Sequence, residues 1–259
     1  MRPKSFYKYC PIYSDDFENE RSIENLINSH AVFSNRKNFN DLFDSKINFI
    51  KPTKEKLKVL AKNMSAKNRF NFKIVFLEDD WRSKCQSVED EVSKVFDKYL
   101  YYCLTDQPDN NLMWSHYANS HRGFCIEWGS EYINADKVKY SDDIASFDIF
   151  DVVKSNYGLP VADTAGDQIW RALRQKLKEW EYESEYRLQL SNEAMKINTV
   201  KQFDNFSLVK YESGWVKSII FGCRMSEEAK DYIRKNLPFN VSFKQAQEGV
   251  SSIKIKDIN

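Results

Sequence analysis

Four short apolar runs constrain the fold more than any other feature: SFYKYCPI at 5–12, YYCLTD at 101–106, GFCIEW at 123–128 and VKSIIFG at 216–222. Each is rich in aromatic or β-branched residues and too short for a core helix, so each reads as a strand, the first stopped by Pro11. AVFS (31–34) and KVKYSD (137–142) read as further short strands, and VSFKQA with SSIKIK as a hairpin about Glu248 and Gly249. Between these runs the spacing turns helical. Ile23, Leu26 and Ile27 share one side of 17–29, and Val88, Val92, Val95, Phe96 and Tyr99 share one side of VEDEVSKVFDKYL. Ile169, Ala172, Leu173 and Leu177 do the same over 167–178. SEEAKDYIRKNLP has acids first, bases last and a proline beyond, as a capped helix should. PDNNLMWSHYANSHRG reads as another capped helix, closed by Gly123. The expectation is an α+β fold: one domain over 1–259 with a mixed or antiparallel sheet core and a helical insertion near 51–98.

Charge excludes one simple function class. Lys and Arg number 39 against 38 Asp and Glu, a net +1, so no global field draws the chain to nucleic acid. A local basic segment at 62–73 reads either as a solvated helix face or as a nucleic-acid-facing stretch. The five cysteines are odd in number and never spaced C-x-x-C, which fits free thiols in a reducing cytoplasm better than disulfides or a zinc site. The N-terminus has no apolar signal-peptide core, and no stretch approaches the roughly 20 apolar residues of a membrane span. A cytoplasmic protein without a membrane partner is expected. No Walker loop, G-x-G-x-x-G or G-x-S-x-G elbow occurs.

Three stretches carry groups suited to chemistry. In KEWEYESEYRL (178–188) a period of two puts Trp180, Tyr182, Ser184, Tyr186 and Leu188 on one face, and Glu179, Glu181, Glu183, Glu185 and Arg187 on the other. As a strand, which its aromatic content favours, it would hold the Glu183 and Glu185 carboxylates about 7 Å apart on the same side. That pair suits a developing cation; an exposed edge with its acids paired to Lys or Arg gives the same pattern. In LMWSHYANSHRG, Trp114 and Tyr117 offer a stacking surface and His116 a hydrogen-bonding or general-base group, unless the run is an aromatic core with a satisfied histidine. In FSNRKNFNDLFD, Asn38, Asn40, Asp41 and Asp44 suit ribose hydroxyls or calcium, without EF-hand spacing; loop-capping hydrogen bonds account for them equally.

Taken together, FYKY, FSNRKNFNDLFD, LMWSHYANSHRGFCIEW and KEWEYESEYRL resemble a bacterial family known as domain of unknown function twenty-nine seventy-one. Its blocks run Y-K-Y-R, F-N-D-P-F-D, L-W-S-H-Y-A-x-x-H-x-G and W-x-Y-E-x-E-W-R, in the order met here between Tyr7 and Arg187. Cys10 stands where the family usually has Arg, and Leu42 where it usually has Pro. The order of parts is also similar to that of ADP-ribosyltransferases, whose late strand carries E-x-E. That resemblance implies an ADP-ribosyltransferase-like sheet, NAD as the substrate and Glu185 and Glu183 as catalytic residues. It implies binding of NAD by Tyr7, Lys8, Ser34, Asn40, Asp41, Trp114, His116 and Tyr117, with Lys8, Ser34 and Glu185 at one cleft. Lys8 departs from the Arg or His of known transferases. A bacterial toxin or phage-defence effector follows, with a nucleic-acid acceptor (RNA or DNA) and a neutralising antitoxin as partners. The rival enzyme is a metal-dependent nuclease using Asp41, Asp44, Glu183 and Glu185; the rival without chemistry is a binding module.

Overall fold

The computed structural model describes residues 2–78 and 80–258. The chain divides into two compact units. Met1–Asn38, Leu100–Val138 and Glu179–Asn259 form the first; Phe39–Tyr99 and Lys139–Lys178 form the second. The helical stretch expected near 51–98 lies within the second unit, which also takes in 139–178.

In chain order, β1 (Ser5–Cys10) leads through α1 (Arg21–Ile27) to β2 (His30–Ser34), and β3 (Ile47–Ile50) follows. Then come α2 (Lys54–Lys62), α3 (Ala66–Lys73), a π-helical turn (Ile74–Glu78) and α4 (Trp81–Phe96). β4 (Tyr102–Thr105), α5 (Asn111–Tyr117), β5 (Phe124–Gly129) and β6 (Asp136–Lys137) return to the first unit. β7 (Lys139–Ser141), β8 (Ala145–Asp148), α6 (Ile149–Asn156), α7 (Ala165–Ala172) and β9 (Gln175–Leu177) belong to the second. The chain ends with β10 (Glu185–Leu188), α8 (Asn192–Asn198), β11 (Thr199–Gln202), β12 (Phe206–Lys210), β13 (Val216–Phe221), α9 (Glu227–Asn236), β14 (Ser242–Glu248) and β15 (Ile253–Ile258).

The first unit is built on an eight-stranded sheet in the order β15-β14-β13-β5-β1-β4-β10-β6. Its neighbours are antiparallel except β13 and β14, which α9 connects as parallel strands. Strand alternation divides its residues between two cores. On one face Phe6, Tyr102, Leu104, Ile126, Trp128, Tyr186, Ile219 and Phe221 pack with Ile23 and Leu26 of α1 and Ile233 of α9. On the other, Tyr9, Cys125, Ile220 and Ala246 pack under Met113 and Trp114 of α5 and Ala118 just beyond it. Trp114 is fully buried, T-shaped against Tyr9 with centroids 4.9 Å apart, and donates from Nε1 to Pro108 O at 2.8 Å. After α5 the backbone turns through left-handed Asn119, Ser120 and His121 into Gly123. A Cβ at Gly123 would lie 2.0 Å from Cys10 O, so no other residue fits there without moving β1.

β2 pairs with β12, and β12 with β11, in a separate three-stranded sheet. Ser34 and Tyr101 exchange backbone hydrogen bonds of 2.9 and 2.8 Å, which closes the base of the 39–99 excursion. The 139–178 excursion is closed likewise: β6 pairs with β10, and Val138 N donates to Glu185 O at 2.9 Å.

In the second unit, β3 pairs with β8 and β7 with β9, both parallel. Phe72 and Phe76 stack at 5.0 Å beside Tyr157, while Leu57, Leu60, Cys85, Val92, Phe96 and Phe147 are buried. The helix expected over 167–178 stops at Ala172, and Gln175–Leu177 pairs as a strand. KVKYSD splits between β6 and β7, which lie in different sheets. Among the described residues no helix is long and apolar enough to cross a membrane.

Candidate active site

The acid-rich stretch is not a continuous strand. Lys178–Glu183 is a 3-10 helix, Ser184 has φ +43, and only Glu185–Leu188 is a strand. Asn110 fixes the turn: its Oδ1 caps α5 at the Leu112 and Met113 amides, and its Nδ2 donates to Tyr182 O at 2.7 Å. The expected alternation therefore fails before Glu185. Glu179 and Glu181 are exposed, whereas Glu183 and Glu185 retain only 3% and 5% exposure. The density of acids thus divides into a solvated pair, Glu179 and Glu181, and a buried pair, Glu183 and Glu185, whose two members flank the left-handed Ser184.

The sheet register places Glu185 in company. Glu185 lies opposite Thr105, Thr105 opposite Tyr7, Tyr7 opposite Glu127 and Glu127 opposite Ser218. Directly opposed residues share a face, so this is one polar row across β10, β4, β1, β5 and β13, on the face that α5 covers. Lys8, one residue from Tyr7, points to the other face. Its Nζ donates to Cys103 O at 3.1 Å and lies 5.1 Å from the centroid of the Tyr102 ring. The expected meeting of Lys8 with Glu185 is corrected by alternation. Ser34 is paired with Tyr101, which shares the parity of Cys103 and Thr105, so Ser34 belongs to the face of Glu185.

Each buried acid is held by a specific donor. Arg187, with 0% exposure, donates from Nε to Glu185 Oε1 at 2.7 Å and from Nη2 to Oε2 at 3.3 Å. The Arg187 guanidinium also lies 5.8 Å from the Tyr101 ring centroid. Tyr117 of α5 donates its phenol proton to Glu183 Oε1. Glu127 accepts from Ser5 at 2.8 Å, Ser218 at 2.5 Å and Lys244 at 2.7 Å, with the Tyr7 phenol 3.4 Å away. Burial alone would raise the Glu127 pKa, but the hydrogen bonds from Lys244, Ser218 and Ser5 hold it below the usual value. The Tyr7 phenol is pushed up to about 12 by burial and by the Glu127 charge. Tyr7 therefore stays protonated and can donate a hydrogen bond beside fixed carboxylates.

Of the other expected residues, Trp114 lies in the core under the row, where it packs rather than binds. His116 is exposed, 6.2 Å from the Tyr182 ring and 6.4 Å from the Tyr117 ring. Asn40 and Asp41, with Asp44, lie in the second unit. Asp44 Oδ1 accepts from Ser45 at 2.9 Å, and Oδ2 faces Lys176 Nζ at 3.5 Å. Among the described residues no group of three or more His, Cys, Asp or Glu is arranged to hold a metal ion.

Thr105 and Glu127 escaped sequence reasoning. The one available signal for Glu127 was a carboxylate inside the apolar run GFCIEW. Ser115 meets His121 rather than its neighbour His116, with Oγ 3.2 Å from Nε2. Ser115 donates its own proton to Asn111 O, and His121 Nδ1 is buried without a partner, so no third group orients a nucleophile–base pair.

Residues 113–188 match the model of a family described as "Protein of unknown function (DUF2971)", the family that the sequence blocks resemble. The matched span runs from α5 through β10 and includes Trp114, Tyr117, Glu183 and Glu185. No curated protein and no solved structure matches the chain.

Proposed function

We propose that the chain is an ADP-ribosyltransferase that consumes NAD, on a sheet of that class, with Glu185 as the central carboxylate. In this reading the bond from ribose C1′ to nicotinamide nitrogen breaks and its electron pair leaves with nicotinamide. The acceptor then bonds to C1′ and gives up its proton. Glu185 stabilises the oxocarbenium-like state and holds the ribose 2′-hydroxyl, while Glu183 orients the acceptor. Tyr7 takes the first-strand place expected of Lys8, and Ser34 keeps the second.

The observation that carries the reading is the buried carboxylate of Glu185, gripped by Arg187 and aligned in one sheet row with Tyr7 and Thr105. A carboxylate already fixed needs little reorganisation as charge develops, which is what electrostatic stabilisation requires. The positive φ at Ser184 supports it further, because non-glycine residues in that region concentrate at functional sites. Exposed Lys62, Lys67 and Lys73 support a nucleic-acid acceptor.

The test is nicotinamide release from NAD by the purified chain and by Glu185→Gln. The amide keeps the shape but cannot balance a developing cation, so release should fall by roughly 10²–10³-fold with folding intact. Glu183→Gln should spare NAD hydrolysis and impair transfer to the acceptor. Wild-type turnover retained in Glu185→Gln would make the Glu185–Arg187 pair a structural one and end the assignment.

A further inference from the structure

Positive charge is concentrated on two helices of the second unit. Residues 56–73 carry six Lys or Arg and no Asp or Glu, so the remainder of a chain of net +1 is acidic. All six are exposed. The two helices repeat one pattern. Lys56, Val59 and Lys62 on α2, and Lys67, Phe70 and Lys73 on α3, stand three residues apart and so share one side of their helix. The middle side chain is apolar and exposed in both, Val59 by 58% and Phe70 by 67%. Ile74, four residues beyond Phe70, is 41% exposed. The other sides pack into the core through Leu57, Leu60 and Ala61 of α2 and Phe72 of α3. Arg69 joins the helices where α2 ends: its guanidinium donates to Ala61 O at 3.0 Å, Lys62 O at 2.9 Å and Met64 O at 3.0 Å.

We propose that this face of α2 and α3 docks on an anionic lipid bilayer. The lysine ammoniums sit among the headgroup phosphates, their stems lie along the interface, and Val59, Phe70 and Ile74 enter the acyl boundary. Lysines alone would suit any polyanion, a nucleic acid included. The exposed aliphatic side chains decide between them. Val59 and Ile74 gain nothing from phosphates and have no ring to stack on a base, whereas a bilayer removes them from water. Docking at the surface needs no membrane-spanning helix, and it stands independently of the carboxylates in the first unit.

Flotation of the full chain with vesicles tests it. Vesicles containing phosphatidylglycerol should carry the chain at about 0.1 M salt and release most of it at about 1 M, where the screening length falls to about 3 Å. Vesicles of phosphatidylcholine alone should carry little. Lys67→Gln with Lys73→Gln should weaken binding to the anionic vesicles by roughly 10–30-fold. Val59→Ser with Phe70→Ser leaves the charge unchanged and should weaken it by about tenfold or more. All four side chains are exposed, so the fold should survive both changes, with the Tm of the vesicle-free chain as the check. The comparison of lipids needs no variant. No binding to anionic vesicles, equal binding to both kinds, or parent-like binding in either double variant would overturn the proposal. Binding of a single-stranded DNA oligonucleotide without binding of vesicles would assign the face to nucleic acid and equally overturn it.

Discussion

The buried carboxylate of Glu127 and the buried imidazole of His121 sit in different surroundings, and those surroundings set how these two groups respond to pH. Glu127 is held below its ordinary pKa, so its folded form binds a proton less readily than its unfolded form. Its contribution is present above the unfolded carboxylate value near 4.5 and is lost as pH falls through the lower folded one. Acid unfolding of Glu127→Gln should therefore be shallower than that of the parent in that window, by calorimetry at stepped pH. His121 is also depressed, by burial and then by the Arg224 charge. Its stabilising effect is complete above the unfolded value of 6.5 and declines as pH drops toward the folded one. Tm should fall between pH 6.5 and 5 in the parent and less so in His121→Gln. A parent Tm that stayed flat across that interval would refute the assignment.

At the scale of elements, the contact that ties the start of α5 to the acid-rich stretch depends on Asn110. Asn110→Ala removes both the helix cap and the Tyr182 contact, and should cost about 1–2 kcal/mol in urea titration. Gly123→Ala should cost roughly 3 kcal/mol, since the added Cβ meets backbone rather than a movable side chain. The elements legible beforehand were those whose pattern has one physical solution. GFCIEW and VKSIIFG are buried on both faces, as continuous apolar runs predict, and SEEAKDYIRKNLP carries its own caps. KEWEYESEYRL misled because a 3-10 helix followed by a left-handed residue has no hydrophobic period, while its aromatic content imitates a strand. Gln175–Leu177 failed for the opposite reason: three residues are too few to break a helical pattern running up to them. Glu183 and Glu185 were visible as residues. That Tyr7 rather than Lys8 shares the sheet face of Glu185 was not, because one residue of strand parity decides it and only the register reveals it.

At the scale of the whole molecule, the central sheet gathers strands from across the sequence. β1 sits between β4 and β5, and β5 needs β13 on its other side. Such pairing is non-local, so refolding by tryptophan fluorescence should take milliseconds to seconds rather than microseconds. A chain ended after Leu190 leaves the β5 edge open and should aggregate, seen by size exclusion. Refolding of that fragment to a soluble monomer would contradict this account of the sheet. The two backbone clamps, Ser34 with Tyr101 and Val138 with Glu185, carry a consequence for how such a chain can vary. Each clamp closes a long excursion as a turn closes a hairpin. What lies beyond can therefore be lengthened, trimmed or exchanged as a cassette without re-registering a single strand of the sheet.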